Sequence, residues 1–325
     1  DGYLNQIPQT WLKDDNASYS STPCVLSEES SSITFENGIC KCPEASVGDT
    51  ATISGTLYTV VDNDSIKTEI ANGNANLCTS LVTDMSQLFS RNDSFNSEIG
   101  FWDTSSVTTM GSMFWGASAF NRSIGNWDVS SVQDAKAMFL QAGSFNQDIS
   151  NWDTASLTDT GNMFYAALSF NQDIGTWNTS AFTNMGQMFR GATAFNQNLK
   201  NWDTSKVGSF FHTFDGAHLF DQNISDWNVS SAYAMTNMFG NLPALSDQNK
   251  GLIHTSFSTN SNWSYDWSSF VEGGDTAGGG GDHNTTEPYD PGVDQNATSP
   301  QDPTVDNNST APYDPGGGDH NTSEP

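Results

Sequence analysis

Positive charge is scarce in this chain: 10 Lys and Arg stand against 38 Asp and Glu, and only 15% of the 325 residues are charged. A formal charge of −28 repels phosphate backbones and anionic headgroups, which excludes nucleic acid as a partner and disfavours membrane surfaces. Long apolar runs are missing too. No stretch approaches the roughly 18–20 residues that cross a bilayer, so no membrane span is expected. No signal-peptide pattern opens the chain, which reads as a mature or trimmed form from Asp1. Cysteine is confined to Cys24, Cys40, Cys42 and Cys78, in the first quarter, and no histidine precedes His212. These spacings do not suit zinc, so disulfides are expected, with their connectivity open, and with them an oxidising compartment. A Gly-rich phosphate loop and a nucleophile elbow are also absent. His212 and His218 are six residues apart with no Cys or Glu beside them, and read as surface or packing residues. No catalytic, cofactor-binding or metal-ligating residue is expected, and no enzymatic activity.

What is present is a repeat. Trp102, Trp127, Trp152, Trp177, Trp202 and Trp227 are spaced by 25 residues, as are Phe95, Phe120, Phe145, Phe170, Phe195 and Phe220. A third column, Phe89 to Phe239, and a fourth, Ile99, Ile124, Ile149, Ile174, Leu199 and Ile224, keep the same step. Several columns in register with no insertion mean a stacked array, because one unit cannot bury its apolar side alone. Within Val107–Ser131, the residues Val107, Met110, Met113 and Phe114 fit one face of a short helix. Ser105 or Ser106 would cap that helix, Gly116 would end it, and Phe120–Ile124 would form one strand. The fold class expected is therefore an α/β repeat solenoid, leucine-rich-repeat-like, with one short strand and one short helix per coil. A further column, Val82, Val107, Val132, Leu157, Phe182 and Val207, ends decayed at Ala232. The substitution of Phe210 and Thr213 for Met, and Ala135 at the position of Met110, are tolerable size changes.

The segment Phe145-Asn-Gln-Asp-Ile-Ser-Asn-Trp-Asp-Thr154, followed by Asn162-Met-Phe164, resembles the BspA-like repeat of leucine-rich-repeat-related surface proteins, also called DUF285. The resemblance runs over about residues 62–272, with Tyr58–Asn63 as lead-in and Leu245–His254 as its terminal segment. It implies a secreted or surface-displayed protein with a role in adhesion, and it brings no catalytic residues.

Residues 1–81 would form a disulfide-bonded N-terminal cap, 82–244 a solenoid of about seven repeats, and 245–272 a C-terminal cap. In the first cap Thr50–Val61 reads as a strand pair turning at Ser54-Gly55, and Asp64–Ala71 as a short helix. In the second, Leu245–Phe257 reads as a helix capped near Ser246, with Trp263, Tyr265, Trp267 and Phe270 closing the last coil. Residues 273–325 carry no Lys or Arg and repeat Gly-Gly-Gly-Asp-His-Asn-Thr, which marks an extended acidic tail or linker. Candidate N-glycosylation sequons begin at Asn16, Asn63, Asn92, Asn121, Asn178, Asn223, Asn228, Asn262, Asn284, Asn296, Asn307, Asn308 and Asn321. All five asparagines of the tail lie in sequons, so covalent glycans are expected there.

The tryptophan column could be a strip for stacking sugars, but a buried spine explains it more simply. The column Asn96, Asn121, Asn146, Asn171 and Asn196, continued by Asp221, reads as a hydrogen-bonded ladder rather than a ligand ridge. Asp103, Asp128, Asp153 and Asp203 read as helix caps, with calcium at most weak and diffuse. Two readings remain for an extracellular or cell-surface protein without enzymatic activity. The favoured one is a glycosylated subunit of a surface fibre or coat, self-associating through its tail, because no differentiated binding patch stands out. The alternative is a monomeric adhesin that binds a glycan or surface protein through the solenoid face.

Overall fold

The computed structural model describes residues 32–271, all within one unit of the chain, Asp1–Asn284. Of the expected residues, Cys24, Asn16 and the sequons from Asn284 onward lie outside the described residues, as does the tail.

The first elements are hairpins set by turn chemistry. Strands β1 (Thr34–Glu36) and β2 (Ile39–Lys41) pair antiparallel across Asn37-Gly38, and β3 (Thr50–Ile53) and β4 (Thr56–Val60) across Ser54-Gly55. In both turns the two central residues have positive φ, 51° then 84°, which matches the twist of the flanking strands. Helix α1 (Ile66–Ala71) follows, and β5 (Leu77–Cys78) then joins β4 in parallel. Val61, Ile66 and Leu77 from this region belong to the same apolar core as the first coils.

From Val82 the chain is a stack of 25-residue coils. Single parallel bridges link Asp84, Thr109, Asp134, Asp159, Asn184, Ser209 and Ala234 in succession. The expectation of one helix and one strand per coil is corrected here. The segment from Val107 to Phe114, expected as helix, carries the bridge at Thr109 and continues as consecutive turns from Gly111, while Phe120–Ile124, expected as strand, pairs with nothing in ladder fashion. Backbone hydrogen bonds show why. The N–H groups of Met110, Ser112, Phe114 and Gly116 donate to the carbonyls of Asp134, Lys136, Met138 and Leu140 in the next coil, at 2.7–2.9 Å. The alternate N–H groups of Met113, Trp115 and Ala117 donate three residues back, to Met110, Ser112 and Phe114. Half the amides thus close tight turns and half tie coil to coil, which leaves none for an α-helical ladder.

This path needs left-handed residues. Ser112, Ala137, Asn162, Gln187, His212 and Asn237 have φ between 51° and 59°, and a second column four residues later includes Gly116, Gln141, Ala166, Gly191 and Gly216. Only the second column uses glycine often, so the first holds strain of order 1–2 kcal/mol per residue that packing must offset.

The abundance of Asn and Asp follows from turns as well. Side-chain oxygens of Asp84, Asp134, Asp159 and Asn184 accept from the backbone N–H two residues on. Asp148, Asp173, Asn198 and Asn223 do the same on a second side of the coil. On a third side the acceptors are Asp103, Asp128, Asp153, Asn178, Asp203 and Asn228. These are Asx turns, so the expected capping role holds in kind, but no helix follows.

The interior is aromatic. Phe114, Phe139, Phe164, Phe189 and Phe214 stack on one another at 5.5–5.7 Å, each also against the phenylalanine six residues on at 4.0–4.2 Å. Phe210 and Thr213, the replacements for Met, are fully buried, and the Thr213 hydroxyl donates to the Met185 carbonyl at 3.1 Å. At the far end α2 (Asp247–Phe257) starts at Ser246, whose hydroxyl accepts from the Asn249 N–H. Trp263, Tyr265 and Trp267 pack half-buried around Phe239, and the Tyr265 hydroxyl accepts the Phe239 N–H at 2.9 Å.

Candidate functional surfaces

The tryptophan column is spine, not ligand strip. From Trp102 to Trp227 every ring is buried, and successive rings from Trp152 onward stack at 6.1–6.3 Å. Each indole N–H from Trp127 on donates to the carbonyl of the Ile/Leu column one coil back, at 2.9–3.1 Å. A sugar has no face to stack on there.

The asparagine column is a ladder on the coil surface. Asn96 Oδ1 accepts the Asn121 N–H, Asn121 Oδ1 that of Asn146, Asn146 Oδ1 that of Asn171, and Asn171 Oδ1 that of Asn196, each at 2.9–3.0 Å. From Asn121 on, the following Gln amide reinforces each step, as Gln172 does with Asn146 at 2.8 Å. Asp221 ends the ladder by accepting from the Ser246 N–H and hydroxyl and from the Asn249 amide. Burial weighs against the charged form of Asp221, but these donors outweigh it and hold the carboxyl below its usual range. Of the sequon asparagines among the described residues, Asn63, Asn92, Asn121, Asn178, Asn228 and Asn262 are exposed and Asn223 is half-buried.

Asp103 stands apart from its column. Asp128, Asp153 and Asp203 are exposed, whereas Asp103 is buried between Lys41 Nζ at 2.7 Å and the hydroxyls of Ser80 and Ser105 at 2.6 and 2.7 Å. Burial opposes its charge, yet Lys41 and the two serines prevail and lower its carboxyl below the ordinary value. The same corner holds Cys40, Cys42 and Cys78, all buried. Asp134, by contrast, has its carboxyl raised, first by burial and then by the charges of Asp159 and Asp84, against the hydrogen bond from the Lys136 N–H.

His212 and His218 are not brought together. His212 Nδ1 lies 2.7 Å from Asp215 Oδ2, which also receives Arg190 Nε at 3.2 Å, while His218 Nε2 faces the Asn241 amide at 3.2 Å. Among the described residues no group of three or more His, Cys, Asp or Glu is arranged to hold a metal ion.

Two features escaped the periodicity argument. Tyr233 is 73% exposed and Leu219 57%, and Phe211 is also exposed, each in a column otherwise filled by Thr, Gln, Gly, Ala, Ser or Lys. Reading the columns for apolar residues where the others are small or polar would have found them. The sixth and seventh coils thus carry three exposed apolar departures from their columns. The second feature is an open polar cleft of about 490 Å³ beside Trp227 and Asn228, where α2's trailing residues Thr259–Asn262 meet the last coil.

The architecture defines a repeat protein built of 25-residue coils. Two matches to the family described as "Mycoplasma protein of unknown function, DUF285" span residues 57–172 and 147–252, and the chain belongs to this family. No curated protein and no solved structure matches it. No helix among the described residues is long and apolar enough to cross a membrane.

Proposed function

We propose that this chain is a non-enzymatic extracellular display protein that binds a protein or glycan through the side of its coil stack. In this reading the coils form a leucine-rich-repeat-like solenoid, a disulfide-bonded cap precedes it, and a glycosylated tail (273–325) acts as stalk. The observation that carries the reading is the combination of covered ends and exposed apolar side chains in the sixth and seventh coils. The first coil packs on Val61, Ile66 and Leu77 and the last on Trp263, Tyr265 and Trp267, so coil-on-coil continuation into another molecule has no free face. Phe211, Leu219 and Tyr233 meanwhile stand exposed where the other coils carry small or polar residues, which supports a contact role for these two coils. The test is binding of the full chain to panels of saccharides and extracellular matrix proteins, beside a variant with Phe211→Ser, Leu219→Ser and Tyr233→Thr. The variant should lose binding with an unchanged melting temperature; a wild-type chain that binds nothing on either panel would sink the reading.

The fibre or coat subunit is the second reading. The same exposed apolar side chains favour it, since another copy could cover them as well as a foreign partner. Long filaments by microscopy, abolished by deleting 273–325, would establish it over the first.

A further inference from the structure

The asparagine ladder has a second half that faces outward. In each coil the asparagine Oδ1 is the ladder atom, because it takes a backbone N–H at 2.9–3.0 Å and a backbone N–H can only donate. From Gln147 on, the glutamine beside the next asparagine donates its Nε2 to the same oxygen at 2.8–2.9 Å. Both amides are thereby fixed in orientation. The Nδ2 donors of the five asparagines from Asn96 to Asn196, and the Oε1 acceptors of the four glutamines from Gln147 to Gln222, have no partner among the described residues. No buried side-chain nitrogen or oxygen among those residues lacks a partner, so these atoms stand at the surface.

The row is periodic and rigid. The phenylalanines next to Asn121, Asn146, Asn171 and Asn196 stack coil on coil at 5.9–6.0 Å. Paired backbones lie about 4.8 Å apart, so donor and acceptor recur once per coil in steps of about 5–6 Å. A sugar in an extended β-1,4-linked chain advances by a comparable step, and its hydroxyls both donate and accept. Amides already held by the ladder lose little rotamer freedom on contact, which preserves the strength of each hydrogen bond made to a ligand. Glu98, Asp148 and Asp173 are exposed beside the row, and Arg122 is already paired with Glu98 at 2.7 Å, so an anionic polymer is repelled.

We propose that this row binds a neutral, extended β-1,4-linked polysaccharide, one sugar to each coil. The proposal rests on the reading that the side of the coil stack is a binding surface. It names the ligand class and uses columns other than those of Phe211, Leu219 and Tyr233.

Calorimetric titration of the full chain with cellobiose through cellohexaose, and with the matching chitin oligomers, tests it. Production in a bacterial host leaves the sequon at Asn121 bare. Affinity should climb with each added sugar until the oligomer spans the row, and polymannuronate, which is β-1,4-linked but anionic, should bind less. No binding in either series, an affinity that does not grow with length, or tighter binding of polymannuronate would overturn the proposal.

Two double variants copy exchanges that the chain itself contains. Asp221 occupies the asparagine column, and Arg122 occupies the glutamine column, where its Nε donates to the Asn96 carbonyl at 2.8 Å. Asn146→Asp with Asn171→Asp therefore keeps the ladder acceptors and removes two outward donors. Gln172→Arg with Gln197→Arg keeps the inward donors and removes two outward acceptors. Each pair should weaken hexamer binding by about tenfold or more at an unchanged melting temperature. A pair that melts like the parent and binds as tightly would overturn the proposal. The Phe211→Ser, Leu219→Ser, Tyr233→Thr variant should bind the hexamer as the parent does. A chain that binds matrix proteins through those three residues and no oligomer would refute the row while leaving the binding-surface reading intact.

Discussion

Replacing Trp177 with Phe probes the spine where its geometry is most regular. Trp177 is stacked between Trp152 at 6.2 Å and Trp202 at 6.3 Å, nearly parallel to both. Its indole N–H reaches the Ile149 carbonyl at 3.1 Å, and that carbonyl also accepts the Trp152 N–H at 3.2 Å. Phenylalanine keeps an aromatic body in the stack but has no donor. Because Ile149 retains its other partner, the loss is that of one ordinary hydrogen bond, about 0.5–1.5 kcal/mol, without the full penalty of an orphaned carbonyl. The smaller ring gives up roughly 40 Å² of apolar contact, or about 1 kcal/mol. The expected cost is therefore about 1.5–2.5 kcal/mol, against about 3–5 kcal/mol for Trp177→Ala, which also opens a cavity. Urea unfolding followed by circular dichroism measures both. The alanine variant should also broaden the transition, because a weakened interface in mid-array lets the two halves unfold separately. A Trp177→Phe chain within 0.5 kcal/mol of the parent, by the same scale of about 1 kcal/mol per bond, would refute the spine as an energetic element.

Other perturbations follow from single contacts. A Cβ at Gly251 would lie 2.2 Å from the Phe270 carbonyl oxygen, so Gly251→Ala should undock α2 from the closing 3₁₀ turn (Ser268–Phe270) despite alanine's better helix propensity, lowering the melting temperature. Ala166 has φ of 53° in a column that elsewhere holds Gly116, Gly191 and Gly216, so Ala166→Gly should stabilise by up to about 1 kcal/mol in the same denaturation assay. Asp134 has a raised carboxyl pKa in the folded chain, so its ionisation opposes folding as pH climbs above the unfolded value. Asp134→Asn should therefore stabilise at neutral pH, and the gain should fade as pH drops below about 4, where the aspartate is protonated in both states; a gain independent of pH would contradict this.

Several elements were legible in the residues because their signals are local or periodic. Ser54-Gly55 can adopt positive φ in succession, Ser246 offers a hydroxyl one step before a helix, and columns at 25-residue spacing can only be buried by their own copies. The buried tryptophans and the asparagine ladder follow from the same spacing. The corner of Lys41, Ser80, Asp103 and Cys42 was not legible: its members are up to 62 residues apart in sequence and only the docked hairpin brings them together.

The chain by itself determined the period, which residues face inward and where the hairpins turn, since each depends on neighbours in sequence or on identical positions one repeat away. The course of the backbone within a coil was decided only by the stack. Val107, Met110, Met113 and Phe114 are spaced as a helix would space them, but successive three-residue turns give the same spacing. Which of the two forms depends on where the amides of Met110, Ser112 and Phe114 find acceptors. A coil lying 25 residues on presents its carbonyls to them, and the isolated segment has no such neighbour.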